Sequence, residues 1–316
     1  HAQIAANNLV QEADFVLSLG SRLYVRQIGY NFKGFAKNAF KVYIDIDPEE
    51  LNKPTIYPDI KIISDVNTFL KSIQSQIKIG DINNWREYCR NMFLSSPTVL
   101  DRHRNKYPLS IYAFMEALNL SMRFDLPIIT SDGSANIVGM QVLKLKKNQR
   151  LFSNKSTAPM GYGLPAAIGA CFANNKKDVI CLEGDGSIHM NIHELQVVVQ
   201  NNLPLKIFVF NNDGYLSIKI TQKNFCKGLL SLSDSKSGLT LPNYKKLAKA
   251  YNIPYKSITT NKNLHNQIKK CIKKPGPQFI EVFVDPEEYH EPKVMASLDS
   301  EGKFIPGELQ NIQWIE

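Results

Sequence analysis

Apolar residues along this chain fall into two kinds of run. Short unbroken stretches end in glycine or a turn pair, and between them apolar positions recur every three to four residues. Residues 4–12 place Ile4, Ala5, Leu9 and Val10 at helical spacing. Asp14–Leu19 (DFVLSL) reads as a buried strand closing on Gly20. Lys41–Ile46 (KVYIDI) reads as another, closing on Asp47-Pro48, a pair that starts a turn or helix. A helix over 65–73 follows. Strand and helix alternating in this way predict a parallel α/β unit. A doubly wound domain offers five or six strands and only two or three are placed here, so residues 1–75 read as a partial, Rossmann-like α/β unit. Residues 76–109 carry little strand signal: a helix over 81–93, then a polar stretch over 95–108 rich in Arg, His and Pro. They read as a linker between domains.

From Ser110 the pattern resumes and runs long, so 110–316 read as a second α/β domain. It predicts helices over 111–120, 164–173, 188–200, 244–251 and 265–273. Strands are predicted at Pro127–Thr130 (PIIT), Asp178–Leu182 (DVICL), Leu205–Phe210 (LKIFVF) and Gln278–Val284 (QFIEVFV). Because these runs are continuous rather than alternating, the strands are expected to be covered on both faces. That is a doubly wound parallel sheet.

Composition narrows the class. The chain has 316 residues, 43% of them hydrophobic and 21% charged, which is ordinary globular usage and excludes a disordered chain. No stretch of about 18 apolar residues occurs, so no membrane span or membrane partner is expected. Cys89, Cys171, Cys181, Cys226 and Cys271 form no CxxC pair, which argues against a disulfide framework or zinc ribbon and for a reducing compartment. With no signal-peptide pattern, a cytoplasmic location is expected. The net charge of +9 is spread along the chain, and the runs 144–147 and 269–274 lack interleaved aromatics. They read as solvated faces, and no nucleic-acid partner is expected. The chain opens on His1, directly into a helical pattern, and so reads as the interior of a longer protein.

The chemistry is concentrated in 178–214, DVICLEGDGSIHMNIHELQVVVQNNLPLKIFVFNNDG. An apolar strand ends in Gly184-Asp185-Gly186-Ser187 and a helix follows at once. The glycines permit a tight turn and close approach of a ligand to the backbone. A helix start offers N–H groups suited to phosphate. Asp185 sits at the carboxyl end of the strand, where open α/β sheets bind ligands. The next strand ends in Asn211-Asn212, and a right-handed crossover makes the two strand ends neighbours. A carboxylate and an amide oxygen converging beside a diphosphate suit Mg²⁺ or Ca²⁺.

Gly184-Asp185-Gly186…Asn211-Asn212 resembles the diphosphate- and metal-binding signature of thiamine diphosphate enzymes. Met160-Gly161-Tyr162-Gly163-Leu164-Pro165-Ala166-Ala167-Ile168-Gly169-Ala170 resembles their acetolactate synthase, pyruvate oxidase and decarboxylase branch. Ala13-Asp14…Gly20-Ser21-Arg22 and Ile44-Asp45-Ile46-Asp47-Pro48-Glu49 resemble the latter half of that branch's middle domain. The resemblance implies a middle-domain remnant over 1–75 and a diphosphate-binding domain over 110–316. It implies Mg²⁺ held by Asp185, the Asn212 side chain and the Gly214 carbonyl. The diphosphate would be held by Gly184, Gly186, Ser187, Tyr215 and Leu216. Met160 would prop the cofactor in its bent form, with the Ala158 carbonyl accepting from its amino group, and Ser134, Ala135 and Asn136 would add cofactor contacts. The implied reaction is decarboxylation of a 2-oxo acid followed by carbon–carbon bond formation or protonation.

The family's activating glutamate lies in an N-terminal pyrimidine-binding domain for which this chain offers no counterpart, so no catalytic side chain is assigned. The implied assembly is a homodimer or homotetramer with the active site at the subunit interface. The family's flavin contacts spread over the whole middle domain, of which only a part is placed here, so the resemblance does not carry FAD over to this chain. Tyr215–Gln222 (YLSIKITQ) departs from the glutamate-rich, tryptophan-containing segment of true acetolactate synthases and looks more like relatives associated with surface-sugar biosynthesis. A non-catalytic diphosphate-binding module is the remaining alternative. His189 and His193 have zinc-compatible spacing but lack the HExxH order, and Asp47 reads as a helix cap.

Overall fold

The computed structural model describes residues 3–78, 80–122, 126–154 and 156–315. The chain forms two compact units, one made of His1–Thr98 with Glu291–Glu316 and the other of Val99–His290.

The first unit contains α1 (Ile4–Glu12), β1 (Phe15–Leu19), α2 (Val25–Ile28), β2 (Phe40–Asp45), α3 (Pro48–Asn52), β3 (Ile60–Ile63), α4 (Val66–Ile73) and α5 (Asn83–Ser95). Strands β1, β2 and β3 form one parallel sheet in that order. Asp47 caps α3 by accepting from Glu49 N–H at 2.9 Å, with Pro48 at the first helical position. Asp65 caps α4 through Thr68 N–H at 3.1 Å. Arg22 spends its charge on Glu50 at 3.0 Å, an exposed pair worth about 0–1 kcal/mol.

The second unit contains α6 (Asp101–Arg104), α7 (Ile111–Ser121), β4 (Ile128–Thr130), α8 (Gly133–Val142), β5 (Leu151–Phe152) and α9 (Gly163–Ala173). It continues with β6 (Val179–Gly184), α10 (Asp185–His189), α11 (Leu195–Gln200), β7 (Leu205–Asn211) and α12 (Leu216–Phe225). It ends with α13 (Tyr244–Ala250), β8 (Tyr255–Ile258), α14 (Leu264–Lys273) and β9 (Gln278–Phe283). All six strands are parallel, in the order β5-β4-β6-β7-β9-β8.

Successive side chains of a strand point to opposite faces, and here both faces are buried. Ile180, Leu182, Phe208 and Phe210 share one core with Phe114 of α7 and Ile268 of α14. Phe114 meets Phe208 and Phe210 edge-on, at centroid distances of 5.5 and 5.0 Å. Val179, Cys181, Ile207 and Val209 share the other core with Leu164 of α9, Val198 of α11 and Ala248 of α13. That double cover is why the sequence shows unbroken apolar runs.

Three expectations need correction. The stretch 76–109 is no simple linker: Tyr88 of α5 donates to Glu12 of α1 at 2.6 Å, whereas Val99 and Leu109 belong to the second unit's core. Nor does the second unit run to 316. The tail holds β10 (Lys293–Val294), β11 (Ser297–Leu298), β12 (Phe304–Ile305) and β13 (Ile312–Gln313), paired β10–β13 and β11–β12. It joins the first unit, where Asn7 donates to the Leu309 carbonyl at 2.5 Å. The helix expected over 188–200 breaks into α10, a 3₁₀ turn at Ile192–Glu194, and α11. The break falls at Asn191 (φ −131°), whose side chain donates to the Gly161 carbonyl at 2.9 Å. Among the described residues, no helix is long and apolar enough to cross a membrane.

Candidate active site

Parallel strands deliver all their carboxyl ends to one edge of the sheet. β6 and β7 are adjacent and level there, with Gly184 opposite Phe210. Asp185 and Asn212 leave the sheet just beyond that pair, so the two predicted strand ends do meet. Asp185 is buried. Its Oδ1 accepts from Gly186 N–H at 2.8 Å, and its Oδ2 accepts from Asn212 N–H at 3.1 Å and Gly214 N–H at 3.0 Å. Burial pushes the carboxyl up to about 7, and the three backbone donors pull against that rise. Among the described residues no lysine or arginine pairs with it.

The inward atom of the Asn212 side-chain amide lies 3.2 Å from Asp185 Oδ1 and 2.9 Å from the Gly214 carbonyl oxygen. With nitrogen inward, the amide donates to both. With oxygen inward, three oxygens converge with no hydrogen between them, the donor set of a hard divalent cation. A cation there would also neutralise the carboxylate that burial penalises. The residues therefore fit Mg²⁺. Gly214 has φ +127°, and a Cβ on it would stand 2.6 Å from the Ser233 carbonyl oxygen, so glycine is required.

Around this centre the other expected residues are placed as follows. Ser187 Oγ lies 2.7 Å from Ser131 Oγ and accepts from Gly161 N–H at 3.0 Å. It thereby ties α10 to the end of β4 and to the segment carrying Met160. Met160 is partly exposed, at 38%. Ala158 adopts φ +48°, with its N–H donating to the Asn154 carbonyl at 2.9 Å. Neither α8 nor α12 has a side-chain N-cap, so their first-turn N–H groups need other partners. Leu216 opens α12 and is buried, while the Tyr215 N–H is already committed to the Ser233 carbonyl at 2.9 Å. The Tyr215 ring packs on Gly186, where a Cβ would come within 2.3 Å of it. Gly184 has room for a Cβ, its nearest neighbour being Ser187 Cβ at 3.8 Å. On α8, Ser134 Oγ lies 2.8 Å from His290 Nε2, Asn136 accepts from Ser153 Oγ at 3.0 Å, and Ala135 faces the core. Ser134 and Asn136 are thus engaged by side chains within the protein. His189 and His193 are exposed, and no cluster of three His, Cys, Asp or Glu forms a metal site among the described residues.

Two supporting residues escaped the sequence reading. Glu183 is fully buried, accepts from Leu164 N–H at 2.9 Å, and is pushed up to about 7 by burial. An acid inside an otherwise apolar strand (VICLEG) was the available signal. Tyr244 of α13 donates to the Asp185 carbonyl at 2.6 Å, and nothing local announces it.

Comparison with known proteins bears directly on this arrangement. Residues 132–282 match the model described as thiamine pyrophosphate enzyme, C-terminal TPP binding domain. Residues 1–73 match thiamine pyrophosphate enzyme, central domain. The chain belongs to the thiamine pyrophosphate enzyme family. The C-terminal match runs from the start of α8 into β9 and so contains Asp185, Asn212 and Gly214. The chain is similar to the acetolactate synthase large subunit of Cyanidium caldarium, with 34% identity covering 90% of this chain and 48% of the relative. It is also similar to the acetolactate synthase large subunit of Porphyra purpurea, with 32% identity covering 93% and 50%. Chloroplastic acetolactate synthase 2 of Zea mays shares 30% identity, covering 96% and 48%. The chain thus spans about half the length of the curated relatives it matches.

Proposed function

We propose that this chain supplies the diphosphate- and Mg²⁺-binding part of a thiamine diphosphate-dependent, acetolactate synthase-like lyase or transferase that decarboxylates a 2-oxo acid and transfers the remaining carbon fragment. The observation that carries the reading is the convergence of the Asp185 carboxyl, the Asn212 side-chain amide and the Gly214 carbonyl on adjacent strand ends. When bound, thiamine diphosphate would supply the nucleophilic carbon and the electron sink that decarboxylation of a 2-oxo acid requires.

The protein's own work is binding and placement. Asp185, Asn212 and Gly214 hold the cation, which neutralises the diphosphate. The starts of α8 and α12 add N–H groups to the same edge of the sheet. Tyr244 fixes the Asp185 backbone, and Ser187 fixes Gly161 next to Met160. The family resemblance supports an assembly of two or four copies with the site at an interface, which sedimentation of the full protein tests. A reducing, cytoplasmic location is supported by cysteine usage, the five cysteines forming no CxxC pair.

The deciding experiment titrates thiamine diphosphate into the full protein with Mg²⁺ and with chelator. Tight binding only with Mg²⁺, lost in Asp185→Ala together with CO₂ release from 2-oxo acids, is the expected outcome. Cofactor affinity indifferent to both Mg²⁺ and Asp185→Ala would overturn the reading.

A further inference from the structure

The loop that carries Asn212 and Gly214 is held from the neighbouring strand by a residue outside the glycine-and-asparagine signature. Glu281 lies in the middle of β9 and is buried. It stands opposite Val209 of β7 and Ser257 of β8 in the ladders. That places it diagonally between Asn211, the last residue of β7, and Tyr255, the first residue of β8, on one face of the sheet. Asn211 Nδ2 donates to Glu281 Oε1 at 2.7 Å, and Tyr255 O–H donates to Glu281 Oε2 at 2.5 Å. Asn211 Oδ1 in turn accepts from Asp213 N–H at 3.2 Å. A single carboxylate therefore fixes the side chain that sets the first turn after β7. The same face carries Phe279, stacked between Tyr244 at 5.9 Å and Tyr255 at 6.5 Å. Tyr244 holds the carbonyl of Asp185, so both sides of the oxygen set are braced from β9 and its aromatic neighbours.

A polar side chain buried in an interior strand is costly unless something uses it. Packing alone would be served better by an apolar residue, as at Phe279 and Val282 beside it. We propose that Glu281 is a positioning residue for the cation site, holding Asn211 so that Asn212 and Gly214 present their oxygens toward Asp185. The proposal rests on the reading of that site given above. Groups that orient metal ligands typically govern about 10–100-fold in metal affinity.

Mn²⁺ binding to the full protein in the presence of thiamine diphosphate, followed by electron paramagnetic resonance, tests it beside thermal unfolding. Glu281→Leu and Asn211→Ala, which cut the same hydrogen bond from its two ends, should each weaken Mn²⁺ by at least about 10-fold. Glu281→Gln, whose Oε1 still accepts from Asn211, should recover to within about threefold of wild type. A merely structural glutamate would lower the unfolding midpoint without this split in cation affinity. If Glu281→Leu does not fold, the half-buried Asn211→Ala decides. Wild-type Mn²⁺ affinity in folded Asn211→Ala or Glu281→Leu, with binding lost in Asp185→Ala, overturns the role of Glu281 alone. Wild-type affinity in Asp185→Ala removes the site reading and this inference with it.

Discussion

Replacing Gly214 by alanine is the sharpest single perturbation of this site. The residue sits at φ +127°, where an L side chain costs about 1–3 kcal/mol. Its new Cβ would lie 2.6 Å from the Ser233 carbonyl oxygen, 2.7 Å from a Leu239 methyl and 3.3 Å from Asp234 Cα. The leucine can turn aside, but the backbone can retreat only by giving up the Tyr215 N–H to Ser233 carbonyl bond, worth about 1 kcal/mol. The present loop is therefore disfavoured by about 2–4 kcal/mol in Gly214→Ala. Only the present loop offers the Gly214 carbonyl beside Asp185 and Asn212, so the penalty appears as a smaller competent population. Apparent Mg²⁺ affinity should fall by about 30- to 1000-fold. Mg²⁺ titration of the full protein with thiamine diphosphate, paired with thermal unfolding, reads both effects. Gly184→Ala is the internal comparison: its φ is −87° and its Cβ meets nothing nearer than 3.8 Å, so its fold stability should be unchanged. Gly214→Ala with cation affinity within threefold of wild type and an unaltered unfolding midpoint would refute the reasoning.

Two further expectations follow from the same framework. Tyr244→Phe strands the buried carbonyl of Asp185 and should cost about 1–3 kcal/mol in thermal or denaturant unfolding; an unchanged midpoint would show that the hydroxyl does not hold that carbonyl. The Ser237 hydroxyl, and after it Lys219, hold the Asp234 carboxyl down to about 2 from an ordinary 3.8, so its contribution is whole above pH 4 and drains away as pH falls toward 2. Melting curves between pH 5 and 2 should fall more steeply for wild type than for Asp234→Asn, and equal slopes would count against that linkage.

The parts of the molecule that sequence made legible are those whose signal is local. An apolar strand running into Gly-Asp-Gly, then a second ending in Asn-Asn, is enough to put Asp185 and Asn212 side by side, because parallel ladders bring consecutive strand tips level. Continuous apolar runs were likewise enough for a sheet covered on both faces. What escaped depends on partners distant in sequence. Tyr244 reaches Asp185 across 59 positions and Asn211 reaches Glu281 across 70, and neither separation leaves a periodic trace. The tail falls outside the unit expected for it because two-residue strands carry no pattern, and the hydrogen bond from Asn7 of α1 to Leu309 spans 302 positions. Tyr215 shows the same limit at short range. Its place beside the signature is plain in sequence, yet its N–H is spent on Ser233, a pairing set by the turn at 233–237.

The six-pair alignment of β6 with β7, from Val179 opposite Leu205 to Gly184 opposite Phe210, has a consequence for how this protein can change over time. One codon gained or lost in either strand would displace its tip by about 3.3 Å and turn every later side chain to the opposite face. Asp185 and Asn212 would then no longer share a cation. The connection over 201–204, at the amino end of β7, sits away from the tips and carries no such restriction. Insertions and deletions among descendants that keep the cation should therefore collect in that connection, while the two strands hold their length.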